Sequence, residues 1–339
     1  MTGSAVSLPD DLWVAAVDVL RTADDATLVC HVAPDGDALG SMLALARVLR
    51  RRGVDVTCTW GDERWSVPAS YEWLPGIETV ARPADVASTT PSVLVVLDTG
   101  SRDRLGVLQP LADRAGAVVV VDHHAHNAGL GGLHLIDARA AATAVVVEEL
   151  LRRMGEELDE ETATCLYTGL VTDTGSFQHA VTTPAVHAVA GRLLAAGVRP
   201  DEVGRRLWGT RPFGFVQVLG AALSRATLEP DAAGGRGLVW TWTTPDDLAA
   251  AGIGIDEIEP IIELVRQAEE ADVGAVFKGD VDGTFRVSTR SRGRTDVGSA
   301  CASLGGGGHR LAAGYTSRDD VETTIAKLRV ALDAAPAPT

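Results

Sequence analysis

The chain has 339 residues, 46 % of them hydrophobic, enough for two domains that each bury a core. Its formal net charge of −16 argues against a protein that grips long nucleic acid on a basic surface. A small phosphorylated ligand is not excluded, because cations bound in an acidic cleft invert the local charge.

Residues 10–22 have the spacing of an amphipathic helix. A β/α alternation follows: strand 27–31, helix 38–52, strand 54–60, strand 93–98, a short helix near 104–114, strand 117–122, a short strand near 133–136 and helix 142–154. Such alternation predicts a parallel sheet with helices on both faces. The stretch 159–225 reads as helical, over 159–174, 184–196, 201–208 and 212–225, punctuated by Pro184, Gly197, Pro200 and Pro212. A second pattern opens near 226: strand 237–243, helix 256–268, a hairpin of 272–279 and 284–290 turned at Asp282-Gly283, helix 296–303 and helix 319–334. The fold class is therefore α/β: a parallel-sheet N-terminal domain over 1–196, a helical linker over 197–225 and a smaller α/β domain over 226–339.

Three words follow buried strands and end in groups that bind metal: HVAPDGDALGS at 31–41, VVLDTGSRDRLG at 95–106 and VVVDHHAHN at 119–127. Residues just past the strand ends of an open parallel sheet meet in one crevice. A single Asp in such a place is ordinarily a helix cap or turn residue. Three such words in one alternating domain predict a cluster instead. Asp35 and Asp37, at i and i+2 of a turn, can reach two neighbouring ions. His31 can add a neutral nitrogen, and Asp98 stands where a central bridging carboxylate is expected. One of His123 and His124 can bind metal while the other faces a substrate, with Asp122 as a partner that orients His123. Asp173, at the end of the apolar helix in CLYTGLVTDTGSFQ, is read as a further ligand. Carboxylates and imidazoles without thiolates suit Mn²⁺ or Mg²⁺ better than structural zinc, which points to metal-assisted hydrolysis of a phosphate ester.

The loop LGGGGHRLAAGY at 304–315 is the second signal. Consecutive glycines expose amides that can cradle an anion, and His309 and the arginines of STRSRG at 288–293 add cationic donors. The four cysteines, Cys30, Cys58, Cys165 and Cys301, form no CxxC pair, and a cytoplasmic location is expected. Asp10, Asp11 and Asp18 interrupt the N-terminal apolar positions, so no signal peptide is expected, and no apolar run reaches the about 20 residues of a bilayer span.

In order and spacing, HVAPDGDALGS, VVLDTGSRDRLG, VDHH and TGLVTDTGSF resemble the four motifs of the DHH phosphoesterase family. GGGGHRLAAG resembles the signature of its DHH-associated C-terminal domain, and the two-domain layout resembles the branch of bifunctional oligoribonucleases (nanoRNases) and pAp phosphatases. The resemblance implies two divalent ions, Mn²⁺ first, with Mg²⁺ or Co²⁺ as alternatives. One would be held by His31, Asp35 and Asp98, the other by Asp37, Asp98, His123 and Asp173. His124, beside Asp98, would face the scissile phosphate. Arg290, Ser291, Gly307, Gly308 and His309 would bind substrate. The implied substrates are short oligonucleotides, pAp and linear dinucleotides such as pApA, with no long nucleic acid and no membrane; a homodimer is compatible with the layout. Two positions depart from the family pattern: His126 stands at a serine position of DHHAHN, and Ala142 stands where serine is frequent, though Thr143 is kept.

Four competing functions follow from related chemistry. A manganese pyrophosphatase shares the first-domain motifs, but the glycine loop before His309 fits the nucleotide branch better. A single-strand exonuclease carries a further nucleic-acid-binding domain, for which the chain has no room. A membrane-bound cyclic-dinucleotide phosphodiesterase needs transmembrane segments. A non-catalytic nucleotide-binding regulator is disfavoured by the complete ligand set.

Overall fold

The computed structural model describes residues 5–124 and 130–336. The chain divides into two compact units, Met1–Thr210 and Arg211–Thr339.

The first unit is built on five parallel strands: β1 (Asp25–Cys30), β2 (Asp55–Trp60), β3 (Val93–Leu97), β4 (Ala117–Asp122) and β5 (Leu133–Ile136). Their order is β2-β1-β3-β4-β5. β3, with sequence VLVVL, is buried at every position. Val93, Val95 and Leu97 pack with the helices Gly36–Arg51, Thr143–Arg153 and Glu160–Asp173, whereas Leu94 and Val96 pack with Leu105, Leu108 and Leu111. A strand covered on both sides needs no polar face, which is why it reads as an unbroken β-branched run. The chain leaves β1 toward β2 on one side and later returns to β3 on the other. Loops at the carboxyl ends of β1 and β3 therefore diverge, and a crevice opens between them.

The second unit holds a mixed sheet of β6 (Thr227–Glu229), β7 (Leu238–Thr243), β8 (Val273–Gly279), β9 (Phe285–Ser291), β10 (Gly307–His309) and β11 (Ala312–Ser317). The order is β10-β11-β9-β8-β7-β6, and only β7 and β8 are parallel. Apolar clusters lie around Phe277, Val287 and Leu328 and around Val276, Ile261 and Phe215. The helix Phe213–Ser224 falls within the stretch read as a linker, and it supplies Phe215, Val218 and Ala222 to the second of these clusters.

Several elements differ from expectation. The helix expected over 256–268 is a 3₁₀ turn, Ile255–Ile258, and a helix, Ile261–Val265. Pro260 divides them, because it has no amide hydrogen to continue the first. The segment 201–208 runs from the helix Pro200–Gly204 into a π-helical turn, Arg205–Gly209. Residues 61–92, read without structure, hold the short turns Ala69–Tyr71, Ile77–Thr79 and Pro83–Val86. Among the described residues, no helix is long and apolar enough to cross a membrane.

Candidate functional site

The site of the first unit sits at the carboxyl ends of β1, β3 and β4. His31 follows β1, and its Nε2 lies 3.5 Å from Asp98 Oδ2 and 3.8 Å from Asp35 Oδ1. Its Nδ1 lies 2.8 Å from the Val32 carbonyl and 2.9 Å from Arg104 Nη2, so the ring is gripped from behind and presents Nε2 to the carboxylates. Asp35 does two things at the strand end. It caps the helix Gly36–Arg51, accepting from the amides of Asp37 and Ala38, and it also faces His31.

Asp98 follows β3 with a φ of 53°, in the left-handed region that non-glycine residues enter at a cost. The Asp98 amide donates to Val121, which fixes this turn, and the side chain is buried. Asp98 Oδ1 accepts from the Thr143 hydroxyl at 2.9 Å and lies 3.6 Å from both His123 Nε2 and His124 Nδ1. Asp98 thus stands at the centre of the constellation.

Asp37 is fully buried in the first turn of its helix. Its two oxygens accept from the amides of Thr143, at 2.6 Å, and Ala144, at 2.9 Å. These amides begin the helix Thr143–Arg153, whose own N-cap, Ala142, offers no side-chain acceptor. Asp37 therefore caps a neighbouring helix, and that helix's positive end favours the carboxylate. The close approach depends on Gly169, where a Cβ would come within 2.6 Å of Asp37 Oδ1. Asp173, at the end of the helix Glu160–Asp173, places Oδ2 3.1 Å from His123 Nε2.

The two histidines after β4 are held differently. His123 Nδ1 lies 3.3 Å from the Ala140 carbonyl, which leaves Nε2 toward Asp173, Asp98 and Asp37. His124 Nδ1 lies 2.7 Å from Asp122 Oδ1, which leaves its other nitrogen free of the carboxylates. Asp122 also accepts from the amides of His123 and His124. The ring it orients is that of His124, where sequence reasoning pointed to His123. His126 lies outside the described residues.

Electrostatics follow from this crowding. Burial works against a charged imidazole at His31, but Asp35 and Asp98 outweigh it and hold the ring up to about 10. At His123 burial again opposes the charge, and Asp173, Asp37 and Asp98 raise the ring to about 10. Burial, then the nearby charges of Asp98 and Asp173, push the Asp37 carboxyl well above the usual range. Carboxylates buried this close together call for positive charge. Among the described residues, three groups have ligand atoms within 4.8 Å of one another: His31, Asp35 and Asp98; Asp37, His123 and Asp173; and Asp98, His123 and His124. Oxygen and imidazole donors without a thiolate fit hard divalent cations.

In the second unit the expected residues separate. Antiparallel register sets His309 beside Ala312 and Ala312 beside Arg290, and sets Gly307 beside Gly314 and Gly314 beside Ser288. Paired residues share a sheet face, so His309, Gly307, Ser288 and Arg290 share one. Arg290 Nε donates to Glu263 at 3.0 Å. Ser291 belongs to the opposite face by alternation. It is buried, donates to Asp272 and accepts from the amides of Gly293 and Thr295, so it braces a turn and does not join Arg290. Arg292 and Arg294 donate to backbone carbonyls of Ala268, Glu269 and Arg236.

The four glycines also divide. The amides of Gly305 and Gly306 donate to Ala302 and Cys301, closing the helix Val297–Ser303 in a Schellman arrangement. They are therefore not part of an anion cradle. Gly307 and Gly308 form an edge strand, and at Gly308 the φ of 138° and a Cβ contact of 2.6 Å with the Ala312 carbonyl admit no side chain.

Sequence reasoning gave three contributors no part in holding the cluster, although it noted Thr143 as kept. Thr143 touches Asp37 through its amide and Asp98 through its hydroxyl. The Ala140 carbonyl and Arg104 set the rings of His123 and His31. Only the Thr in ARAAATA gave a signal, as a polar residue in an alanine run at a helix start.

Comparison with known proteins agrees with this layout. The model of the DHH family, N-terminal domain, matches residues 26–170, and that of the DHHA1 domain matches residues 248–335. The chain is similar to the "Bifunctional oligoribonuclease and PAP phosphatase NrnA" of Thermus thermophilus, with 34 % identity over 88 % of this chain and 86 % of that protein. It is also similar to the protein of the same name from Bacillus subtilis, with 25 % identity over 92 % and 96 % of the two chains. An exopolyphosphatase-related protein from Bacteroides fragilis shares the fold, with a TM-score of 0.87, 22 % identity and 96 % coverage of both chains. With both domain models matched in order and a third of the residues shared along most of the Thermus relative, the chain belongs to the DHH family of phosphoesterases, carrying a DHHA1 domain in its second unit.

Proposed function

We propose that this chain is a two-metal phosphoesterase that hydrolyses short oligonucleotides (nanoRNA and linear dinucleotides such as pApA) to mononucleotides and removes the 3′-phosphate of pAp. The observation that carries this reading is the buried Asp98, which lies between two ligand groups at the strand ends and is reached from both by histidine nitrogens. The names of the Thermus and Bacillus relatives supply the substrate class.

In this reading His31, Asp35 and Asp98 hold one cation, and Asp37, Asp98, His123 and Asp173 hold the other, with Mn²⁺ first and Mg²⁺ or Co²⁺ as alternatives. Divalent cations there supply Lewis-acid neutralisation of phosphoryl charge and lower the pKa of water. Asp122 grips Nδ1 of His124 and raises its affinity for a proton, so the ring turns its other nitrogen to the scissile phosphate as a donor. Arg290, with Nε tied to Glu263 and Nη1 to the Thr289 carbonyl, turns its Nη2 to a substrate phosphate, beside His309, Gly307 and Gly308. A preference for short substrates accords with the net charge of −16, which disfavours gripping a long strand. The four cysteines are free and buried, which accords with the cytoplasm.

The test is a hydrolysis panel of pAp, pApA, RNA and DNA of about two to five units, long single strands and pyrophosphate, each with Mn²⁺ and with Mg²⁺. Short oligonucleotides and pAp are expected to be cleaved fastest at low and high salt alike. Pyrophosphate as the preferred substrate, or faster cleavage of long strands, overturns the assignment.

A further inference from the structure

One loop, residues 137–143, serves several members of the constellation. Its Ala140 carbonyl faces His123 Nδ1, its Thr143 amide binds Asp37, and its Thr143 hydroxyl binds Asp98. The loop is held in turn by Asp137, which directly follows β5 and is only 5 % exposed. The Asp137 amide donates to the Asp122 carbonyl at 3.1 Å, and the Asp137 carbonyl accepts from the Ala140 amide at 2.9 Å.

The Asp137 carboxylate does something the rest of the loop does not explain. Its Oδ1 accepts from the Arg139 amide at 3.0 Å, and its Oδ2 accepts from the Ser7 amide at 2.6 Å. Ser7 is gripped from the other side as well, since Arg139 Nη2 donates to the Ser7 carbonyl at 3.2 Å. The segment cannot slide away, because neighbouring Val6 is buried in the first unit's core. The N-terminal chain is thereby strapped across the loop that orients His123, Asp37 and Asp98.

We infer that Asp137 is a positioning residue for the Asp37–His123–Asp173 group, and that the N-terminal segment around Ser7 is the strap it braces against. The inference rests on the cation-ligand reading proposed above. The physical argument is that outer partners fix ring orientation and ligand placement without touching the ion. Release of Asp137 leaves the His31–Asp35 side intact, since those residues hold to Val32, Arg104 and their own helix start. Losing Asp137 therefore falls mainly on the Asp37–His123 position and reaches the other only through the shared Asp98, which the Thr143 hydroxyl holds.

The experiment is calorimetric titration of Mn²⁺ into the metal-stripped full-length protein, with thermal melting of the same samples as a check on folding. The wild type is expected to show two classes of site. Asp137→Ala is expected to weaken one class by about tenfold or more and the other, which shares only Asp98 with this loop, clearly less. Asp137→Asn keeps the shape but faces two amide donors with one acceptor, and is expected to fall between. Arg139→Ala, at an exposed position, is expected to give a smaller loss in the same class, which keeps the test open should Asp137→Ala fail to fold. Unchanged affinities in Asp137→Asn, or equal weakening of both classes, overturn the inference. A wild type that takes up no Mn²⁺ overturns the ligand reading beneath it.

Discussion

The strand-end crevice of the first unit and the glycine-edged sheet of the second were expected to yield functional residues in the same way, from short polar words beside apolar runs. They behave differently. In the crevice, His31, Asp35, Asp37, Asp98, His123, His124 and Asp173 all come together. At the sheet edge, Arg290, Gly307 and His309 share a face, while Ser291, Arg292, Arg294, Gly305 and Gly306 work for the fold. A buried carboxylate has few reasons to exist apart from a charge partner, whereas glycine, serine and arginine are also the ordinary materials of caps and turns. Residue type alone therefore carries more information in a core than at an edge.

The sharpest way to break this contrast is Asp98→Ala. Removing the carboxylate common to both ligand groups should cut turnover on every substrate by at least about 10³-fold, since several kcal/mol of charge stabilisation go with it. Near-normal rates in a metal-saturated assay would return the crevice to the same standing as the sheet edge.

A second, smaller effect concerns pH. With His31 and His123 held up to about 10 in the metal-free protein, both rings carry protons at neutral pH. A cation must displace them, so metal affinity rises with pH and falls as the rings are protonated, by about tenfold per pH unit for each proton released. Mn²⁺ affinity measured between pH 6 and 9 should follow that slope. A flat profile would show that the rings are not ligands.

His309→Ala should act on the sheet edge alone. Loss of one donor to a charged phosphate predicts about a 10- to 100-fold fall in kcat/KM with metal content unchanged. If metal stoichiometry falls in step, the two regions are not separable. Smallest of all, Ser291→Ala should leave KM unaltered and cost about 1–3 kcal/mol of stability in denaturant unfolding, because the buried Asp272 and two amides lose their partner. A raised KM at unchanged stability would restore Ser291 to the substrate face.

What was legible in the sequence follows the same division. β3 and β4 announce themselves as β-branched runs, and the acids at their carboxyl ends, Asp98 and Asp122, were placed by that alone. β11, with sequence AAGYTS, has little strand character, and only its register with β9 makes it one. The break at Pro260 was visible in principle but yielded to the apolar spacing on either side. The cap that Asp37 places on the helix at Thr143 spans 106 residues and could not be read locally. Glu263, which restrains Arg290, was hidden for the same reason.

That remote cap has a bearing on how the crevice tolerates change. Both oxygens of Asp37 are bound by main-chain amides, of Thr143 and Ala144, which almost any residue at those positions would still provide. Asp98 relies on the hydroxyl of Thr143, which only serine could replace in kind. Substitution at 143 therefore leaves one anchor standing while removing the other, and proline is the single exchange that would strike Asp37 from there. Random drift along this helix start should wear down the centre of the site before its inner wall, and a designer moving the crevice to another scaffold must carry over a helix beginning as well as the acids.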